Sequence, residues 1–156
     1  IDDYCETGFG PAANAMRRYF TVLEQYTVEA AKQAPAHGYN HFCPWAPSFY
    51  TDQRITVLEA HLEQAEKIAG NDTAWGQRVR FVRTALDWTK LALPAWAIYA
   101  ADGDRAKAKP LVRRMYAYLR EHRESYAIYS GYLASKMGWL WKDFFGEEDD
   151  WNSELN

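Results

Sequence analysis

No stretch of the chain approaches eighteen consecutive apolar residues, so the sequence offers no membrane-spanning helix. Cysteine is scarce. Cys5 and Cys43 permit one disulfide without requiring it, because a body of 156 residues buries enough surface to do without one. There is no Cys-x-x-Cys and no paired-histidine spacing of a metal site. A glycine-rich phosphate loop is missing too, since Gly8-Phe9-Gly10-Pro11 has neither the pattern nor a preceding strand. Six prolines and nine glycines carry no collagen-like or low-complexity signal. Positive charge is also short: 18 Lys and Arg against 21 Asp and Glu leave −3, which excludes a strongly cationic nucleic-acid binder. Arg17, Arg18, Arg78, Arg80 and Arg83 do not reverse this, because a nearly neutral body supplies little field.

What the chain has in abundance is aromatic side chain, 16% of residues including Trp 7, Tyr 11 and Phe 7, which argues against disorder. The charge is unevenly placed. Residues 146–156 hold five acids and no base, and the rest carries 16 acids against 18 bases, a net charge of +2. The opening Ile1-Asp2-Asp3 has no methionine and no signal peptide, which leads to the expectation of a processed protein or a part of a longer one. Asn71-Asp72-Thr73 fits the glycosylation pattern, which matters only in a host that glycosylates secreted proteins.

Helical periodicity dominates, and nothing alternates at period two as a sheet would require. After the turn at Gly8–Pro11, Met16, Tyr19, Phe20, Leu23, Thr27 and Ala30 recur three or four apart and predict a helix over about 11–33. Ile55, Leu58, Leu62, Ala65 and Ala69 predict a second over about 52–70, capped by Thr51 or Asp52 and stopped by Gly70-Asn71. A third, from about 73 to 99, carries two apolar sets, Val79–Val82–Leu86–Leu93 and Phe81–Ala85–Trp88–Ala92–Tyr99. That breadth predicts packing on more than one side, with Pro94 kinking or dividing the element. A fourth helix spans about 104–123, with Ala108, Leu111, Val112, Met115, Tyr116 and Leu119 inward and Pro110 marking a late start. Beyond His122 the pattern predicts one or two short aromatic-rich helices and then an acidic tail. Pro35, Gly38, Pro44 and Pro47 predict an ordered aromatic connection over residues 34–50. The expected fold is all-α: an antiparallel bundle of about four main helices with short C-terminal helices, organised as segment 1–10, bundle 11–145 and tail 146–156. A repeat array of tetratricopeptide type has little support, because the helices differ in length and share no motif.

Chemistry-bearing residues are sparse. Glu59, Glu63 and Glu66 lie beside an apolar stripe that needs a wet opposite face, so they read as solvated, and Asp87 reads as a structural partner of Arg83 or Lys90. His37, His41 and Cys43 fall short of a metal-ligand set, and Cys43 with His41 carries no nucleophile signature. His61 and His122 read as helix-surface or boundary residues. No catalytic, cofactor or metal-binding residue is assigned. The candidate ligand or domain-docking surface is the aromatic connection: Tyr39, Trp45, Phe49 and Tyr50 can form an apolar wall, with Asn40 and His41 as hydrogen-bonding groups. The plainer alternative is that these residues cap the end of the bundle or dock onto an adjoining domain.

The opening Tyr4-Cys5-Glu6-Thr7-Gly8-Phe9-Gly10-Pro11-Ala12-Ala13, with Met16, Tyr19 and Leu23-Glu24 after it, resembles a junction in bacterial glycoside-hydrolase-like proteins of the DUF4838 family. These are related in organisation to α-glucuronidases and β-hexosaminidase-like enzymes. Leu58–Ala69 followed by Arg78-Val79 resembles the helices after that junction, so the likeness covers about residues 4–100. The resemblance implies a helical accessory region that follows a catalytic (β/α)₈-type barrel and can complete its cleft. The catalytic acids would lie on the barrel and none carries over to this chain. It also implies an extracytoplasmic setting, the barrel as partner and a glycan at the domain junction. A free-standing carbohydrate-binding module and a protein-interaction bundle remain the alternatives; a coplanar exposed aromatic row would mark the first, a broad uncovered apolar face the second. The accessory reading expects an exposed aromatic or apolar patch around residues 34–50 or 1–10.

Overall fold

The computed structural model describes residues 1–34, 38–128 and 130–146, without the side chains of 38–41, 130–132 and 134–136; the acidic tail from residue 147 lies outside it. Among the described residues every regular element is helical and there is no strand. Seven α-helices follow in order: α1 (Asp2–Phe9), α2 (Ala13–Gln33), α3 (Gly38–Phe49), α4 (Asp52–Ala69), α5 (Ala74–Ala100), α6 (Arg105–Glu121) and α7 (Ser130–Phe145). Single 3₁₀ turns at Gly10–Ala12 and Arg123–Ser125 join α1 to α2 and follow α6.

Two compact units divide the chain, Ile1–Ala34 with Tyr50–Leu86, and Pro35–Phe49 with Asp87–Asn156. In the first, α2 packs on α4 and α1 packs on α2. Its core sets Cys5, Phe9, Met16 and Tyr19 with Ile55, Leu58, Leu62 and Val79. The stripe on α4 is buried at all five predicted positions, and Thr51 caps the helix by accepting from the Arg54 N–H.

The connection expected over 34–50 is instead largely the helix α3, with Pro44 and Pro47 inside it. Each proline removes one N–H donor from the helical ladder. Cys43, Ala46 and Phe49 are buried at helical spacing and offset that loss. Pro94 and Pro110 likewise lie inside undivided helices: Ala92, Ala95 and Trp96 are buried around the first, and Ala108 and Val112 around the second. The second unit is strongly aromatic. Phe49, Trp45, Phe42, Trp96 and Trp88 form successive ring contacts, and Tyr99, Trp141 and Phe144 form another set.

At the start of α6 the Asp104 carboxylate accepts from the N–H groups of Ala106 (2.9 Å) and Lys107 (3.3 Å). The Ala106 N–H is otherwise orphaned at the helix N-terminus, the Lys107 N–H also donates to the Asp104 carbonyl at 3.1 Å, and the negative charge suits that end of the dipole. The Lys107 ammonium, 3.8 Å away on an exposed surface, adds little. Asp104→Ala is therefore expected to destabilise the fold by about 1 kcal/mol and Asp104→Asn by much less, read as urea midpoints.

Candidate functional site

Of the candidate surface expected on Tyr39, His41, Trp45, Phe49 and Tyr50, the side chains of Trp45, Phe49 and Tyr50 are described. Tyr39 and His41 belong to α3, but their side chains, like that of Asn40, lie outside the described residues. Phe49 is buried and is core material, and Trp45 stacks on it at 5.0 Å. Tyr50 falls in the other unit and is half-buried, and burial raises its phenol pKa against the pull of Arg54.

An apolar exposed surface of the first unit lies elsewhere, between α1 and the first turns of α5. A cleft of about 660 Å³ is lined by Asp3, Tyr4, Thr7, Gly8, Phe9, Arg78, Phe81 and Val82. Tyr4 is 59% exposed and Phe81 50%, and Ile1, just before α1, is 64% exposed. Of the two apolar sets expected on α5, Val79 and Leu86 of the first and Trp88 and Ala92 of the second are buried, whereas Phe81 and Ala85 are exposed.

Local sequence builds this cleft. α1 ends at Gly10, whose φ of +49° disfavours other residues and whose missing side chain leaves room for the Trp75 indole. The terminal carbonyls of α1 have no partner within the helix, and Arg78 supplies one. Its Nη1 donates to the Gly8 carbonyl at 3.0 Å and the Thr7 carbonyl at 3.3 Å. This links α1 to α5 beside the cleft. Gly8 deepens the floor, since a Cβ built there meets nothing within 4 Å. The Tyr4 ring leans edge-on against Phe9 (5.7 Å) and Phe20 (5.8 Å), leaving much of its surface to solvent.

Charge at the cleft is balanced and uncommitted. Asp2 and Glu6 both pair with Arg17, at 2.6 and 3.4 Å. Among the described residues, Asp3 has no ion-pair partner and Arg78 bonds only to backbone carbonyls. The sequence named segment 1–10 as one of two places for an exposed apolar patch, but it did not single out the α5 wall of this cleft, whose signal was the excess width of the apolar pattern.

The remaining chemistry-bearing groups are structural or dispersed. Cys5 and Cys43 are free thiols, both fully buried; desolvation pushes the Cys5 thiol pKa up, against the pull of Arg17, which is the opposite of an activated thiolate. Glu66, expected to be solvated, is half-buried and ion-paired to Arg83. Among the described residues no three metal-ligating side chains gather, and no helix is long and apolar enough to cross a membrane. On the second unit a cleft of about 650 Å³ carries Asp87, Lys90, Arg114 and Glu121 around Leu91 and Tyr118, a mixed-charge surface without an exposed aromatic face pair. No family model matches the chain, and comparisons with curated proteins and with solved structures find no match.

Proposed function

We propose that this chain is a non-catalytic helical accessory domain of a larger carbohydrate-active protein of the glycoside-hydrolase-like kind. In this reading α2, α4, α5 and α6 are the four main helices, accompanied by shorter, aromatic-rich ones. The α1–α5 face packs beside a catalytic barrel and completes its cleft. One observation supports this most directly: exposed Tyr4 and Phe81 line one cleft, and Tyr4 belongs to the opening segment that carries the resemblance. Large apolar side chains gathered on one face, rather than scattered singly, mark interaction surfaces.

Hydrogen exchange tests the reading. The polypeptide encoded by the whole reading frame is compared with the 156-residue chain. Amides of residues 2–9 and 74–82 are expected to exchange at least tenfold more slowly in the longer protein. Equal exchange in the two, a reading frame that encodes no barrel, or glycosidase activity of the 156-residue chain by itself would overturn it.

A further inference from the structure

We infer that the α1–α5 cleft is a saccharide-binding subsite that takes a neutral pyranose, with Tyr4 and Phe81 as its apolar faces and Asp3, Thr7 and Arg78 as its hydrogen-bonding groups. The inference deepens the accessory-domain reading and rests on it for the setting in which a glycan meets the chain.

The argument starts from what the cleft leaves unused. A pyranose ring presents C–H faces that suit aromatic rings and an equatorial rim of hydroxyls that both donate and accept. Tyr4 and Phe81 supply aromatic surface already exposed to water, so stacking displaces solvent without unfolding anything. The Asp3 carboxylate is an acceptor only. Arg78 spends Nη1 on the end of α1, which leaves Nη2 and Nε as further donors. Acceptor, donor and the Thr7 hydroxyl thus surround one cleft, and hydrogen bonds to charged groups are the stronger kind. One carboxylate and one guanidinium cancel, which favours an uncharged sugar over a uronic acid. The volume of about 660 Å³ falls in the range of small-molecule sites. Arg78 links α1 to α5 beside the cleft, and the missing side chain of Gly8 leaves open space there.

The test is amide chemical-shift mapping on the 156-residue chain with cellobiose, xylobiose, maltose and diacetylchitobiose, each to about 20 mM, since millimolar affinity suits a single subsite. At least one disaccharide is expected to shift amides of residues 3–9 and 76–82. Phe81→Ala and Asp3→Asn are each expected to weaken that binding about tenfold. Gly8→Leu fills the floor and is expected to abolish it, and circular dichroism confirms that each variant folds. Glucuronic acid is expected to bind less well than the neutral sugar. Absence of shifts with all four disaccharides, or shifts that survive Phe81→Ala unchanged, overturns the subsite. If no sugar binds but residues 2–9 and 74–82 are protected in the longer protein, the cleft is a protein-docking surface; the subsite fails and the accessory reading stands. Sugar binding without that protection describes a free-standing carbohydrate-binding module, so the subsite stands and the accessory reading fails.

Discussion

Gly76→Ala is expected to lower stability by about 2 kcal/mol, whereas Gly8→Ala is expected to raise it by up to about 1 kcal/mol, although both glycines sit inside helices. Propensity alone favours alanine at both positions, by about 1 kcal/mol. At Gly8 a Cβ meets nothing within 4 Å, so that gain is kept. At Gly76 a Cβ would stand 2.0 Å from the Gly70 carbonyl oxygen and 3.0 Å from its carbon. Both are backbone atoms that cannot swing aside as a side-chain tip would.

The turn that would have to yield is tightly tied. The Thr73 hydroxyl lies 2.7 Å from the Ala69 carbonyl and accepts from the Gly76 N–H at 2.9 Å, and Arg80 donates to the Asn71 carbonyl at 2.7 Å. Overpacking against such a contact costs about 3 kcal/mol, which outweighs the propensity gain. The melting temperature should fall by about 4–8 °C for Gly76→Ala and rise by a few degrees for Gly8→Ala. Equal shifts of the same sign in thermal denaturation would show that the α4–α5 turn accommodates a methyl group and that the close approach is unimportant.

Those two glycines illustrate what periodicity can and cannot reveal. The apolar stripe at Ile55, Leu58, Leu62, Ala65 and Ala69 specifies a helix and its buried face together, and the boundaries 52–70 and 52–69 agree because Thr51 and Gly70 are local signals. The all-helical class was legible for the same reason. α3 was not: proline is a strong local breaker, and only burial of Cys43, Ala46 and Phe49 overrides it. Tertiary packing of that kind leaves no mark within a short window. The cleft was hidden by the converse problem. Phe81 falls on helical spacing with Ala85 and Trp88, and hydrophobicity cannot tell which of two apolar stripes is covered. Nor does the one-dimensional pattern show that Arg78 reaches back some seventy residues to the carbonyls of Thr7 and Gly8. Glu66 is a similar case, since its partner Arg83 is seventeen positions away and its helix face alone reads as wet.

The stability difference between the wild-type chain and Tyr19→Phe should shrink by about 1.4 kcal/mol for each pH unit above 10, up to about pH 12. Tyr19 is 4% exposed, and burial pushes its phenol up to about 12 even though Arg83 nearby favours the phenolate. The neutral phenol is therefore the form the fold prefers. Below pH 10 both folded and unfolded chains hold the proton, and the full stability is present. Between about 10 and 12 the unfolded chain releases it while the folded chain retains it, so unfolding is favoured as pH rises. Taking the difference from Tyr19→Phe removes the contributions of Tyr50 and Tyr99, whose pKa values burial also raises. A difference in urea-derived stability that stays constant from pH 9 to 11 would refute this account of Tyr19. Glu66 supplies a second arm, because it is ion-paired to Arg83 and offsets the positive field at the phenol. Glu66→Gln unmasks that guanidinium and should make Tyr19 ionise at lower pH. An unmoved or higher ionisation in ultraviolet titration would show that the Arg83–Glu66 pair exerts no influence on the buried phenol.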